Sequence, residues 1–380
     1  MRRTWLGRRL MRAGVIAALA VPWLAGGAQA APRVETVAGG LEHPWAVAFL
    51  PAGRFLVSER PGRLRVIEAD GRLGAPLQGL PPMAAGGQGG MLDVVTDSDF
   101  ERNRTIYFCY SEPGPGGSNG TALARARLGA DLKELEALQV IFRQHPKVAS
   151  RLHFGCRIVE RRVDGKPDGT LWLTLGERFS RRDAAQQLDN HLGKIVRVGK
   201  DGQVPADNPF VGRADALPEI WSLGHRNGQG ATLAPDGALW MTEHGPMGGD
   251  EINLPEPGRN YGWPVVSFGV NYDGSPVGTG ASGQPGMAAP LHHWTPSIAP
   301  SGLAFLASDR YGPAWRDNLF VGSLKFQYLA RLELRDGRVV AEHRLLEDLG
   351  QRIRDVRLGP DGLLYVVTDN ADGRLLRLLP

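Results

Sequence analysis

PDGTLWLTLGE (167–177), PDGALWMTEHG (235–245) and PDGLLYVVTD (360–369) are three spellings of one unit: a Pro-Asp-Gly turn, a run of apolar, β-branched and aromatic residues, and a polar residue near its end. That composition, with turn residues at one side, predicts a strand. The strand recurs as RFLVSE (54–59), TIYFCYS (105–111) and DNLFVGS (317–323). Anchored on Leu56, Tyr107, Trp172, Trp240, Phe320 and Tyr365, the six copies stand 51, 65, 68, 80 and 45 residues apart. Most follow an apolar strand such as MLDVVTD (91–97) and precede another such as GKIVRVGKDG (193–202). A four-stranded propeller blade takes roughly 40 to 50 residues, so the expected fold is all-β, a six-bladed β-propeller with inserted loops, notably over 255–290. A β-sandwich gives no reason for one pattern to return six times. Residues 130–144 read equally as a short helix or a strand pair.

The first 30 residues stand apart. Five arginines (Arg2, Arg3, Arg8, Arg9, Arg12) precede an apolar run ending near Leu24, then Ala28-Gln29-Ala30. These are the parts of a secretory signal, and the run is too short for a membrane span, which needs roughly 20 residues. The expected organisation is a signal over 1–30 and one propeller domain over 31–380, periplasmic or secreted, without stable membrane insertion. Taking the five signal arginines from 44 basic residues leaves 39 against 40 acidic ones. The basic character therefore belongs to the signal, and nucleic-acid binding loses its electrostatic support. Two cysteines, Cys109 and Cys156, would meet an oxidising compartment; spacing leaves open whether they pair.

If each blade begins with its innermost strand, the residues just before that strand ring the channel mouth. They are His43-Pro44-Trp45, Gln88-Gly89-Gly90, His153-Phe154-Gly155, Arg226-Asn227, Pro300-Ser301 and Arg352-Ile353-Arg354. A ring this polar and cationic predicts a bound anionic ligand. Arg352 and Arg354, two apart on a strand, share a face, and are expected to serve that ligand rather than the fold. EHGPMGGDEIN (243–253) gathers acids and free carbonyls of the kind that hold a hard cation such as calcium.

The series GQGGMLDVV (87–95), HFG (153–155), GHRNGQG (224–230), EHGPMGGDEINL (243–254), NYGWP (260–264), WTPSIAPSG (294–302), SLK (323–325) and RIRDV (352–356) resembles the soluble glucose and aldose sugar dehydrogenases that use pyrroloquinoline quinone (PQQ). The resemblance spans nearly the whole mature chain. It implies oxidation of aldoses at the anomeric carbon to lactones, with PQQ and calcium as cofactors and an external electron acceptor, in a monomer or homodimer. Carried over by position, Gln88, Arg226, Asn227, Lys325, Arg352 and Arg354 would contact PQQ. The carbonyls of Gly245 and Pro246 would hold the active-site calcium, and Glu251 and Tyr261 a structural one. His153 would be the catalytic base, Glu177 its carboxylate partner, and Arg226 would stabilise developing charge. Leu152 stands where the glucose enzymes have Asp, which implies a permissive sugar site, and Trp294 is the matched aromatic on the substrate side. Two other readings are a calcium-dependent propeller lactonase, which leaves the arginines and Lys325 without a role, and a non-catalytic glycan-binding propeller, which does not need His153 paired with Glu177.

Overall fold

The computed structural model describes residues 32–380; the expected export signal lies outside the described residues. Six four-stranded antiparallel sheets make up the described chain. Their first strands are Pro44–Leu50, Met91–Thr96, Gly155–Val163, Gly228–Leu233, Pro300–Phe305 and Ile353–Leu358. These six touch one another around a central channel, so the polar residues that precede them do gather at one mouth. The sixth blade is completed by the N-terminal strand Arg33–Leu41, which pairs with Gly373–Leu379 and closes the ring.

All six anchor residues fall on the second strand of a blade, where both sheet faces are covered by neighbouring blades. Leu239–Glu243 and Leu364–Thr368 are buried throughout. This is why the sequence shows continuous apolar runs there rather than alternation. Burying one such side chain contributes about 1.5–3 kcal/mol, and Leu56, Phe108, Leu173, Met241, Phe320 and Val366 are all fully buried. The stretch 130–144 resolves as the outer strand Leu135–Arg143 of the second blade. The 255–290 insertion lies between the last two strands of the fourth blade, Asp250–Asn253 and His292–Trp294. No helix among the described residues is long and apolar enough to cross a membrane.

Cys109 and Cys156 form a disulfide that ties the second strand of blade 2 to the first strand of blade 3. Below the mouth, the channel is crossed by a closed charge ring. Arg157 donates to Asp93 at 3.2 Å and to Asp355 at 3.0 Å, and Arg357 donates to the same two carboxylates at 2.6 and 2.9 Å. The two arginines and two aspartates come from blades 2, 3 and 6, so the ring joins inner strands distant in sequence. Two positive charges face two negative ones, which offsets much of the cost of burying them, and Arg157 Nη2 is left without a hydrogen-bond partner among the described residues.

Candidate active site

Above that ring the channel mouth opens into a cavity of about 470 Å³, lined among others by Gln88, Asn227, Arg352 and Arg354. Four of the six residues expected to contact an anionic ligand therefore meet there. The Gln88 side-chain oxygen accepts the His153 backbone N–H at 2.8 Å, and the Asn227 oxygen accepts that of Gly155 at 3.1 Å. Both amides thus hold the HFG turn by their oxygens, which leaves their NH2 groups as the donors for a ligand.

Three arginines, Arg60, Arg352 and Arg354, line this cavity with one carboxylate, Asp369. Arg354 donates to Asp369 at 2.5 Å and to the Gln229 side chain at 3.1 Å; the Arg352 and Arg60 guanidiniums stand 3.8 and 3.7 Å from the same carboxylate, and His43 Nδ1 2.9 Å. Burial acting alone would raise the Asp369 pKa, but Arg354 and its neighbours hold it far below the usual carboxylate range. Positive charge remains in excess, and the buried Arg354 Nε has no partner among the described residues. A polycarboxylate fits that donor set. The finding also corrects the expectation that Arg354 serves a ligand alone, because it anchors Asp369 in the folded chain.

His153 stands beside this cavity, with Phe154 on the cavity wall. Its Nδ1 lies 2.9 Å from Glu177 Oε1, and since a carboxylate only accepts, neutral His153 carries its proton on Nδ1 and presents Nε2 as a base. Burial pushes its pKa below the ordinary 6.5; the Glu177 hydrogen bond opposes this, and the charges of Arg226 and Arg178 add to it. Glu177 is itself buried, and its Oε2 has no hydrogen-bond partner among the described residues. The dyad is placed by the next residue. Arg178 is fully buried, donates to the carbonyls of Leu152, Asn119 and Ser150, and lies 3.9 Å from the centre of the Phe154 ring.

Arg226 is buried and lines not this cavity but a smaller one. Its backbone N–H donates to Glu243 at 2.6 Å, while its guanidinium donates to the carbonyls of Gly245 and His244 at 2.9 and 3.2 Å. The Gly245 carbonyl, expected to face a cation, is thus engaged by Arg226, and Pro246 follows it, buried. A smaller cavity alongside is lined by Gly245, Glu243, Glu251 and Tyr261. Burial, then the nearby Glu243, raises the Glu251 pKa, so acids crowd at low dielectric where a hard cation would relieve them. The Tyr261 hydroxyl donates to the Leu254 carbonyl and accepts the Glu256 N–H, which leaves its backbone carbonyl as the group it could offer a metal. Among the described residues no three His, Cys, Asp or Glu side chains form a ready metal cluster, so any such site depends on carbonyl oxygens.

Two expected residues are elsewhere. Lys325 is exposed on the turn after Leu319–Ser323, its Nζ 5.0 Å from the Phe326 ring, while its neighbour Leu324 lines the cavity. Trp294 is not on the substrate side: it is buried in the cluster holding Trp240 and Phe305, and its indole N–H donates to Glu342 at 2.8 Å. An apolar ring on an outer strand finds its partners between blades.

Asp369, Arg60, Gln229 and His244 also line the cavity and were not singled out from sequence. A signal for Asp369 existed: it closes the PDGLLYVVTD copy of the repeat as Glu177 closes PDGTLWLTLGE.

The family described as Glucose / Sorbosone dehydrogenase matches residues 41–377. Aldose sugar dehydrogenase YliI of Escherichia coli K12 is 46% identical over 357 residues, 93% of this chain and 94% of its own. A crystal structure of a glucose dehydrogenase superposes with TM-score 0.87 at 48% identity, covering 92% of this chain and 100% of the other. The PQQ-bound aldose sugar dehydrogenase of Streptomyces coelicolor superposes with TM-score 0.73 at 27% identity, covering 92% and 100%. The chain belongs to the glucose/sorbosone dehydrogenase family.

Proposed function

We propose that this protein oxidises aldoses at the anomeric carbon to lactones, with PQQ in the 470 Å³ cavity, calcium beside it and His153 as general base. The observation that carries the reading is the His153–Glu177 dyad, an oriented and desolvated base, set beside a cavity whose arginines outnumber its carboxylate. Gln88, Asn227, Arg352 and Arg354 would hold the cofactor, with Lys325 reaching in from the rim. The carbonyls of Gly245 and Pro246 would hold its calcium, and Glu251 and the Tyr261 carbonyl a structural one. When bound, the quinone supplies a two-electron acceptor for hydride, and calcium supplies a Lewis acid.

The chain's own residues do the rest. His153 Nε2 takes the proton of the anomeric hydroxyl, and Glu177 fixes the tautomer before transfer and stabilises the imidazolium after it. Arg226, clamped at its backbone by Glu243 and at its guanidinium by two carbonyls, keeps a cation where negative charge develops. Leu152 offers no hydroxyl-binding side chain, so epimers should be turned over with similar efficiency. Reconstitution tests the reading: the purified apoprotein should gain dye-linked aldose oxidation only when PQQ and calcium are both supplied. Hydrolysis of lactones with calcium alone, or no oxidation of any aldose with both, would overturn it.

A further inference from the structure

Five of the large apolar side chains left exposed are Phe179, Met247, Val270, Tyr272 and Phe326. Phe179 and Tyr272 stand together, ring centroids 6.4 Å apart. The Phe179 and His153 rings pack edge to face, their centroids 5.4 Å apart and their planes at 81°. The Tyr272 hydroxyl accepts from the Arg226 guanidinium at 3.3 Å. Two aromatic rings, 45% and 62% exposed, therefore touch the proposed base and the proposed cation and face solvent. An exposed aromatic pair costs solubility and contributes little to the core, which is the pattern of a binding surface.

The backbone beneath Phe179 adds an independent observation. Arg178 and Phe179 both have left-handed φ, 65° and 67°, a conformation that consecutive non-glycine residues rarely adopt. It persists where surroundings over-determine it, and such strain clusters at ligand clamps. Here Arg178 supplies the surroundings: its guanidinium is bonded to three carbonyls and to the Asn119 side chain. The buried Arg178 thus pays the cost of a turn whose visible product is an aromatic ring held outward against His153.

We propose that Phe179 and Tyr272 form the platform on which the C–H face of the sugar ring rests, with Phe179 setting which hydroxyl reaches His153. This rests on the aldose oxidation proposed above and names specificity residues for it. The chemistry suits the surface: a pyranose has an apolar C–H face and a hydroxylated rim, and an aromatic wall beside a few fixed polar groups binds such a ligand in one orientation. Tyr272, tied to Arg226, places the platform in register with the cation, while Phe179 flanks the approach to a base only 4% exposed.

The test uses the whole chain reconstituted with PQQ and calcium, and the variants Phe179→Ala, Phe179→Leu, Tyr272→Ala and Tyr272→Phe. Ligand-observed NMR measures binding of 1,5-anhydroglucitol, which has no anomeric hydroxyl to oxidise, and dye-linked kinetics give KM and kcat for glucose. Losing a ring face should weaken binding and raise KM by about 10-fold in both alanine variants. Phe179→Leu should behave like alanine, because bulk without a ring face does not stack, and Tyr272→Phe, which keeps the ring face but loses the hydroxyl tie to Arg226, should fall between wild type and alanine. PQQ affinity, from fluorescence titration, should be unchanged throughout. Unaltered 1,5-anhydroglucitol binding and glucose KM in both alanine variants would overturn the platform while leaving aldose oxidation standing. Weakened binding in a protein whose wild type oxidises no aldose would keep the platform and overturn the reaction.

Discussion

Two histidine–glutamate pairs, similar in geometry and opposite in surroundings, sit a short distance apart in this molecule. His153 Nδ1 lies 2.9 Å from Glu177, and His225 Nδ1 lies 3.0 Å from Glu243. In the second pair every valence is used. His225 Nε2 meets Ser222 Oγ at 2.8 Å, Glu243 takes the Arg226 N–H on one oxygen and the Asn253 amide on the other, and the His225 ring stacks on Tyr261. Ser222, His225 and Glu243 have the order of a nucleophilic triad, yet all three are buried, with exposures of 0, 1 and 3%. No substrate reaches that serine. In the first pair, Glu177 Oε2 is unpartnered among the described residues, and Phe154 and Gly155, which follow His153 in the chain, line an open cavity. What separates the two pairs is that the first leaves a carboxylate oxygen unpartnered close to residues that line a cavity, whereas the second has a partner on both ring nitrogens and both carboxylate oxygens.

The largest effect should come from breaking each pair in turn. His153→Gln removes the base, whose contribution is typically about 10²- to 10⁴-fold, so turnover should fall at least that far while PQQ affinity stays near wild type and the unfolding midpoint drops less than in His225→Gln, since only Glu177 is disturbed. His225→Gln should do the reverse, since it strands buried partners at about 1–3 kcal/mol each: a clear drop in midpoint with most turnover retained in the folded fraction. Steady-state kinetics and thermal melts on both variants decide it. Equal losses of turnover at unchanged stability would erase the distinction between the pairs.

The same contrast applies to the arginines at a smaller scale. Arg357 is bonded to both Asp93 and Asp355 in the charge ring, whereas Arg354, which lines the cavity, shares Asp369 with Arg352, Arg60 and His43 and has a buried Nε without a partner among the described residues. Arg354→Ala should weaken PQQ binding by about 10- to 100-fold, the worth of one charge-assisted contact, and lower apoprotein stability only modestly because other cations still face Asp369. Arg357→Ala leaves two buried aspartates short of a partner, which costs about 3–5 kcal/mol. Its PQQ affinity, measured on the folded protein by fluorescence titration, should be unchanged. An Arg354 variant with wild-type affinity would remove that residue from the cofactor site.

The architecture was legible because a covered strand has to be apolar on both faces, so Leu56, Tyr107, Trp172, Trp240, Phe320 and Tyr365 mark one strand six times. The ring of residues before each inner strand was legible for the same reason: a repeat places equivalent positions at one level. Sequence could not show closure. That the N-terminal strand Arg33–Leu41 completes the last blade follows from pairing across the whole chain, and it is closure that brings His43 to Asp369. Nor could it show how charges are shared, since Arg354 looks like any ligand-binding arginine until Asp369 is beside it. Trp294 shows the reverse failure, where a motif position that matched a binding aromatic proved to be interblade packing.

The smallest effect expected concerns pH, and it tests whether Glu177 acts on the base or only holds it. Burial sets the His153 pKa below 6.5, Glu177 pulls it back up, and Arg226 and Arg178 push it further down. The base is therefore unprotonated at neutrality, and the acid limb of kcat/KM, which reports the free enzyme, should lie below 6.5. Replacing Glu177 by Gln removes the one group that raises this pKa, so the limb should move to still lower pH while plateau turnover falls by about 10-fold, less than for His153→Gln. Stability follows the same proton. An unfolded His153 titrates near 6.5 and the folded one lower, so the unfolded state binds more protons in that window, and stability is present above 6.5 and is lost as pH falls toward the folded value. His153→Gln should flatten that part of the stability profile, which separates loss of the base from acid unfolding. An acid limb that stays in place in Glu177→Gln would mean that the carboxylate only positions the ring, and a limb that moves upward would contradict the pairing itself.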